Sequence, residues 1–227
     1  MDLSRLKLQE FSKDLSTACK NAADRDVLSL CEKSFFDILP DLLEPVWKGG
    51  VEGDVLMAGV WRGGLAAYTS ELFASHPEKK VVLLDTFEGF NRKPLARHRK
   101  DLSAFEFFVE SGIDFKNPGI DDIKRTFPDL VSANGRIQFV KGDITDKHIC
   151  VPTTKLCFLH VDLDFYEPTY AALEKFYPLL SSGSLVVIDD YGNSYFNCRE
   201  AVDDYRAKEK VESKLFTSEH SYAYWWK

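Results

Sequence analysis

Two apolar runs in this chain end in carboxylates. "HVDLDFYEPT" carries Asp162 and Asp164, and "VVIDDYG" carries Asp189 and Asp190 after a second run of the same kind. If the two runs are neighbouring strands of one sheet, Asp162, Asp189 and Asp190 meet at its edge. Three carboxylates within a few ångströms repel one another, and some keep their protons unless a cation neutralises them. Donors that are all oxygen select a hard divalent ion such as Mg²⁺. The competing reading is that Asp189 or Asp190 only caps the segment after it.

The elements that must position these acids are legible as periodicity. Strand-like runs at residues 55–60, 81–85, 137–141, 156–162 and 185–189 alternate with helix-length stretches such as "GGLAAYTSELFASH" and "PTYAALEKFYPLLSSG". Short buried strands alternating with helices predict an α/β fold, a mostly parallel sheet with helices on both faces. Residues 1–47 read as helical, with Val27, Leu28, Leu30, Cys31, Phe35, Leu39, Leu42 and Leu43 on one stripe. Pro40 and Pro45 predict a break into shorter helices. We therefore expect a helical cap over 1–50 and a main domain over 51–227. At the C-terminus, two β-prone runs around "TSEH" predict an antiparallel hairpin at the sheet edge. A lid-like insertion at about 90–130 holds Arg92, Lys93, Arg97, His98, Arg99 and Lys100, which form either a solvated helix face or an anion site.

The ends of the first two strand-like runs suggest what the sheet binds. "AGVWRGG" places Gly59, Gly63 and Gly64 where the chain must turn tightly and let a ligand approach the backbone. Its spacing is not GxGxxG, which counts against a nicotinamide-dependent enzyme. "LLDTFEGF" puts Asp85 where an acid commonly takes ribose hydroxyls in doubly wound folds. Together they favour a nucleoside-containing ligand.

Composition narrows the class. The 227 residues are 44% hydrophobic and 29% charged, with a net charge of −7, which fits one globular core and opposes nucleic-acid binding. No apolar run reaches the roughly 18 residues of a membrane span. Five cysteines without CxxC pairing read as reduced thiols, and the expected location is cytoplasmic.

"GDVLMAGVWRGG", "LLDTFEGF", "HVDLDFYEPTYAALEKFYPLLSSGSLVVIDDYG" and "CREAVDDYR" occur in the order typical of the macrocin O-methyltransferase family, which the chain resembles from about residue 53 to 206. The resemblance implies a Rossmann-like class I methyltransferase with a seven-stranded sheet. It also implies S-adenosylmethionine as donor and Mg²⁺ as cofactor, with a hydroxyl of a sugar or other small natural product as acceptor. Carried over by position, the metal ligands fall on Asp162, Asp189 and Asp190, and Asp162 doubles as the catalytic proton acceptor. The donor's contacts fall on Gly59, Val60, Trp61 and Arg62, on Asp85, Thr86 and Phe87, and on Gly142 and Asp143 of "FVKGDITD". Met57 stands where many relatives have an acid, and "GDI" where they often have "GWF". A diverged relative that binds the donor and a small-molecule or protein partner without transfer is the alternative. His160, two residues before Asp162, is expected to be a packed, hydrogen-bonded histidine, while His98 could reach an acceptor from the insertion. The apolar N-terminal helices could pair two copies into a homodimer.

Overall fold

The computed structural model describes residues 29–31, 33–110, 119–132, 135–218 and 221–227. The expected helices before residue 29 and most of the loop expected at "DFKNPG" lie outside the described residues. The strands are β1 (Asp54–Ala58), β2 (Val81–Asp85), β3 (Ile137–Lys141), β4 (Leu156–Val161), β5 (Leu180–Ile188), β6 (Phe216–Thr217) and β7 (Ala223–Trp226). They form one sheet in the order β3-β2-β1-β4-β5-β7-β6. The first five strands pair in parallel, while β7 runs antiparallel to both β5 and β6. The strand order reverses between β1 and β4, which makes their carboxyl ends the ligand edge of such a sheet.

Alternation along the strands sends side chains to two separate cores. Val55, Met57, Leu83, Leu185 and Val187 face helix α1 (Lys33–Lys48) and helix α2 (Gly64–Leu72). Leu56, Val82, Leu84, Leu159, Val186 and Ile188 face helix α7 (Tyr166–Phe176) and helix α8 (Cys198–Lys208). Between β2 and β3 the described residues include four helices, α3 (Arg92–Leu95), α4 (Arg99–Glu110), α5 (Ile120–Thr126) and α6 (Asp129–Ser132). The first two dock through a small cluster of Leu95, Phe108, Phe165, Phe196 and Cys198, next to the loops after β4 and β5.

Two sequence expectations need correction. Helix α1 runs unbroken through Pro40 and Pro45. An interior proline costs about 3 kcal/mol. Phe35, Leu39, Leu42, Leu43 and Val46 are all buried by α1, at about 1.5–3 kcal/mol each, so packing outweighs the lost hydrogen bonds. The helix shares the sheet's core, and Trp226 Nε1 donates to the Leu42 carbonyl at 3.3 Å. Leu30, counted on the same stripe, is instead 42% exposed.

The second correction concerns the end of the stretch read as one helix over "PTYAALEKFYPLLSSG". Helix α7 stops at Phe176, a 3₁₀ turn covers Tyr177–Leu179, and β5 already begins at Leu180. Pro178 cannot supply the helical N–H. Ser184 Oγ donates to the Leu156 carbonyl at 2.7 Å and to that of Ser181 at 2.6 Å, tying the irregular start of β5 to β4.

Candidate active site

Register carries the acids to one row. Ala58 is paired with both Leu84 and Val161, and Val161 with Ile188. The next residue on each strand therefore reaches the edge together: Asp85 closes β2, Gly59 follows β1, Asp162 follows β4 and Asp189 follows β5. The ladder continues one step into this row. Gly59 N donates to the Leu84 carbonyl at 2.9 Å, Asp162 N to that of Ala58 at 2.8 Å, and Asp189 N to that of Val161 at 2.9 Å.

A glycine is obligatory in this row. Gly59 has φ of +90°, and a Cβ there would lie 1.8 Å from the Asp162 carbonyl oxygen. The following turn is held by Asp85. Its Oδ2 accepts from Val60 N at 2.7 Å and Trp61 N at 3.2 Å, and its Oδ1 accepts from Phe87 N at 2.8 Å. Asp85 thus locks the two loops expected to hold the donor to each other. Non-glycine residues with positive φ gather here: Trp61 (45°), Phe87 (52°), Asp164 (58°) and Asp190 (56°). Such conformations persist only where the surroundings enforce them, and they concentrate at functional sites.

Beyond this edge lies a cavity of about 370 Å³, a volume usual for small-molecule sites. Among the expected donor contacts, Gly59, Val60, Trp61, Asp85, Thr86, Gly142 and Asp143 line it. Arg62 and Phe87 do not. The Arg62 guanidinium lies 4.9 Å from the centre of the Trp61 ring, and Phe87 is buried against Phe139. The Trp61 indole N–H is buried without a hydrogen-bond partner among the described residues. Met57 contributes an apolar surface.

All four acids, Asp162, Asp164, Asp189 and Asp190, line the same cavity. Carboxylate oxygens of Asp162, Asp164 and Asp190 lie within 4.8 Å of one another. Asp189 is drawn instead towards Cys31 and His160, with which it forms a second group of the same tightness, and it accepts from Ser221 Oγ at 3.1 Å. Burial, then the charges of Asp189, Asp190 and Asp85, push the Asp162 carboxyl well above its ordinary range. Burial and the Asp190 and Asp162 charges do the same to Asp164, and burial with the Asp189 charge brings Asp190 up to about 7. After burial, the Asp190 charge acts most strongly on Asp164, so the two carboxyls resist ionising together.

His160 is packed as expected, stacked on Phe35 with ring centroids 5.8 Å apart, but the expected hydrogen bond is not found among the described residues. Neither ring nitrogen has a partner among the described residues, and burial lowers its pKa to about 4, so the ring is neutral. His98 stacks on Tyr166 at 4.8 Å, and its ring lies 2.9 Å from Asn197 Nδ2 and 3.9 Å from Asp101; it does not line the cavity. Several of the insertion's cations are satisfied within the protein: Arg92 by Glu106 at 2.6 Å, Arg97 by Glu167 at 3.6 Å and Lys100 by Glu200 at 3.4 Å.

Two participants were not legible beforehand. Asn91 Nδ2 donates to Asp143 Oδ2 at 2.9 Å, joining the insertion to the loop after β3. Cys31, read as part of an apolar stripe, has its Sγ 3.9 Å from Asp162 Oδ2. Neither pair is close in sequence, so no local spacing signals it.

The macrocin-O-methyltransferase (TylF) family matches residues 8–227. A tetracenomycin-type rhamnosyl 4'-O-methyltransferase of Streptomyces olivaceus is 29% identical over 191 residues, covering 83% of this chain and 71% of that protein. Mycinamicin III 3''-O-methyltransferase of Micromonospora griseorubida is 28% identical over 189 residues, covering 82% and 73% respectively. The solved structure of the O-methyltransferase NovP superposes with a TM-score of 0.74 at 25% identity, over 85% of this chain and 78% of that one. From sequence profile, fold and strand order together, the chain belongs to the macrocin-O-methyltransferase family and is an S-adenosylmethionine-dependent O-methyltransferase.

Proposed function

We propose that this enzyme methylates a hydroxyl of a sugar or other small natural product, and that Mg²⁺ bound at the acidic cluster is required. The observation that carries the proposal is the row at the sheet edge, which aligns a glycine turn, Asp85 and the acids around one cavity. Relatives named for methylation of a rhamnosyl 4' position and of a mycinamicin 3'' position support a glycosidic acceptor. Binding to nucleic acid or membrane is no part of this reading.

The acidic cluster fits a hard cation on its own chemistry. Its donors are carboxylate oxygens, its members push one another's ionisation upward, and burial raises the cost of leaving their charges unpaired. Asp162 and Asp190 belong both to the ligand set expected from the family and to the compact group in the fold. Asp189, the third expected ligand, lies outside the compact group, and Asp164, the third member of that group, lies outside the expected set. Mg²⁺ there would neutralise the cluster and acidify an acceptor hydroxyl.

The remaining work belongs to the chain itself. The turn around Gly59, closed by Asp85, orients the donor. Trp61, Thr86, Gly142 and Asp143 line its path along the cavity. Asp162 takes the hydroxyl proton as the carbon–sulfur bond breaks and the carbon–oxygen bond forms, and the proton then passes to solvent. Helices α3 and α4, docked on Phe165 and Phe196, cover the acceptor side and keep water out. Alignment contributes much of the rate, because an alcohol and a sulfonium need little else once held in line.

The test is methyl transfer to a panel of glycosylated natural products, with EDTA and with Mg²⁺ restored. Transfer that stops with chelation and returns with Mg²⁺ supports the proposal. Turnover indifferent to chelation removes the metal from it, and absence of product across the panel with intact donor binding removes the acceptor class.

A further inference from the structure

Of the group formed by Cys31, His160 and Asp189, only Asp189 has a part in the reaction proposed above, and Cys31 and Asp189 line the cavity. A sulfur, an imidazole nitrogen and a carboxylate oxygen from these residues lie within 4.8 Å of one another. His160 is 1% exposed, and both ring nitrogens lack partners among the described residues. A buried imidazole without a hydrogen bond is costly unless something else takes its lone pair. Alternation along β4 and β5 sends His160 and Asp189 to the face covered by α1, and Cys31 enters that face from just before the helix.

We propose that these three side chains form a second cation site, selective for a thiophilic transition ion such as Zn²⁺ and centred apart from the compact group of Asp162, Asp164 and Asp190. Sulfur, nitrogen and oxygen donors in threes suit a tetrahedral ion that keeps one open position, whereas Mg²⁺ discriminates against thiolate. Ligands about 2.0–2.3 Å from a tetrahedral ion lie roughly 3.3–3.8 Å apart, so a small closure from the present spacing suffices. Rotation about the single χ1 of Cys31, which lies outside α1, supplies it. On binding, the sulfur–metal bond replaces the S–H bond and one proton leaves to solvent; no redox change is involved.

Asp189 is the residue the two sites share. Occupation by the thiophilic ion holds it beside Cys31 and keeps it from joining Asp162 and Asp190, so Zn²⁺ acts as an inhibitor that Mg²⁺ only partly relieves. This consequence for activity rests on the function proposed above; the binding itself does not.

The experiment is an anaerobic Co²⁺ titration of the full-length, metal-stripped protein with Mg²⁺ present. Expected are a thiolate-to-cobalt charge-transfer band and intense tetrahedral visible bands that saturate at one equivalent. Cys31→Ser removes the charge-transfer band, and His160→Gln lowers Co²⁺ affinity roughly tenfold or more. Asp162→Asn, which dismantles the acidic cluster, leaves the band in place and so separates the failure of one site from that of the other. A band that survives in Cys31→Ser, or a weak octahedral spectrum in the unmodified protein, overturns the proposal. Loss of the band in Asp162→Asn overturns the separation of the two sites.

Discussion

Asp162 bears the heaviest demand of any residue in this enzyme, since the proposed reaction uses it as both cation ligand and proton acceptor. Its backbone N–H completes the ladder to β1, so the side chain can be changed without disturbing the strand. Asp162→Asn is nearly isosteric but neutral and far less basic. We expect turnover to fall at least about 100-fold while the fold is kept, measured by labelled methyl transfer beside circular dichroism. Turnover near that of the parent would remove Asp162 from the chemistry. The acid pair at the tip of β5 shows how an identical residue type can diverge. Asp190 is held near its neutral form by burial and Asp189, while Asp189 itself is anchored by Ser221 and faces Cys31.

The turn after β1 and the insertion after β2 set the shape of the site. Gly59→Ala places a methyl group against the Asp162 carbonyl in a backbone conformation hostile to any side chain. We expect a loss of at least about 3 kcal/mol in urea denaturation. Gly50→Ala, also at positive φ but with open space around it, should cost only about 1 kcal/mol. Equal losses would show that the close approach to Asp162 is not what constrains Gly59. The insertion is latched by Asp101 of α4, fully buried, whose Oδ2 accepts from Glu167 N at 3.3 Å in the first turn of α7. This is a helix cap supplied by another element. Asp101→Ala should lower stability by about 1–2 kcal/mol and raise KM for the acceptor more than KM for the donor. An unchanged ratio of the two KM values would mean that the latch does not shape the acceptor side.

Over the whole protein, the acidic cluster makes stability depend on pH and on cations together. Asp162, Asp164 and Asp190 have folded pKa values raised above the unfolded value of about 3.9. Their favourable contribution is therefore complete below about pH 4 and is lost as pH rises through the folded values, about 7 for Asp190. His160, with its pKa lowered to about 4, acts in the opposite sense below about pH 6.5 and no longer changes above it. Between about pH 6.5 and 8 the acids dominate, and in EDTA the Tm should fall. Saturating Mg²⁺ should flatten that slope and raise Tm by on the order of 5–10 °C, measured by scanning calorimetry. A parallel decline with and without Mg²⁺ would separate the cluster from cation binding.

Much of this architecture was readable from residue order alone. Strands of β-branched and leucine residues announce themselves through local periodicity, and "DVLMAGVWRGG", "LLDTFEGF" and "VVIDDYG" locate the loops that follow them. The unbroken α1 was not readable, because the energy that overrides two prolines comes from the sheet beneath it. Nor was the early start of β5, which depends on a bond from Ser184 to Leu156 across the strand pair. Asp162, Asp189 and Asp190 were identified as a set without Asp164, and the division into Asp162, Asp164 and Asp190 on one side and Asp189 with Cys31 and His160 on the other depends on tertiary packing. Chemistry that resides in one residue type or one short spacing is written in the chain. Chemistry that needs residues from different strands and helices within a few ångströms exists only once the fold has closed the distance.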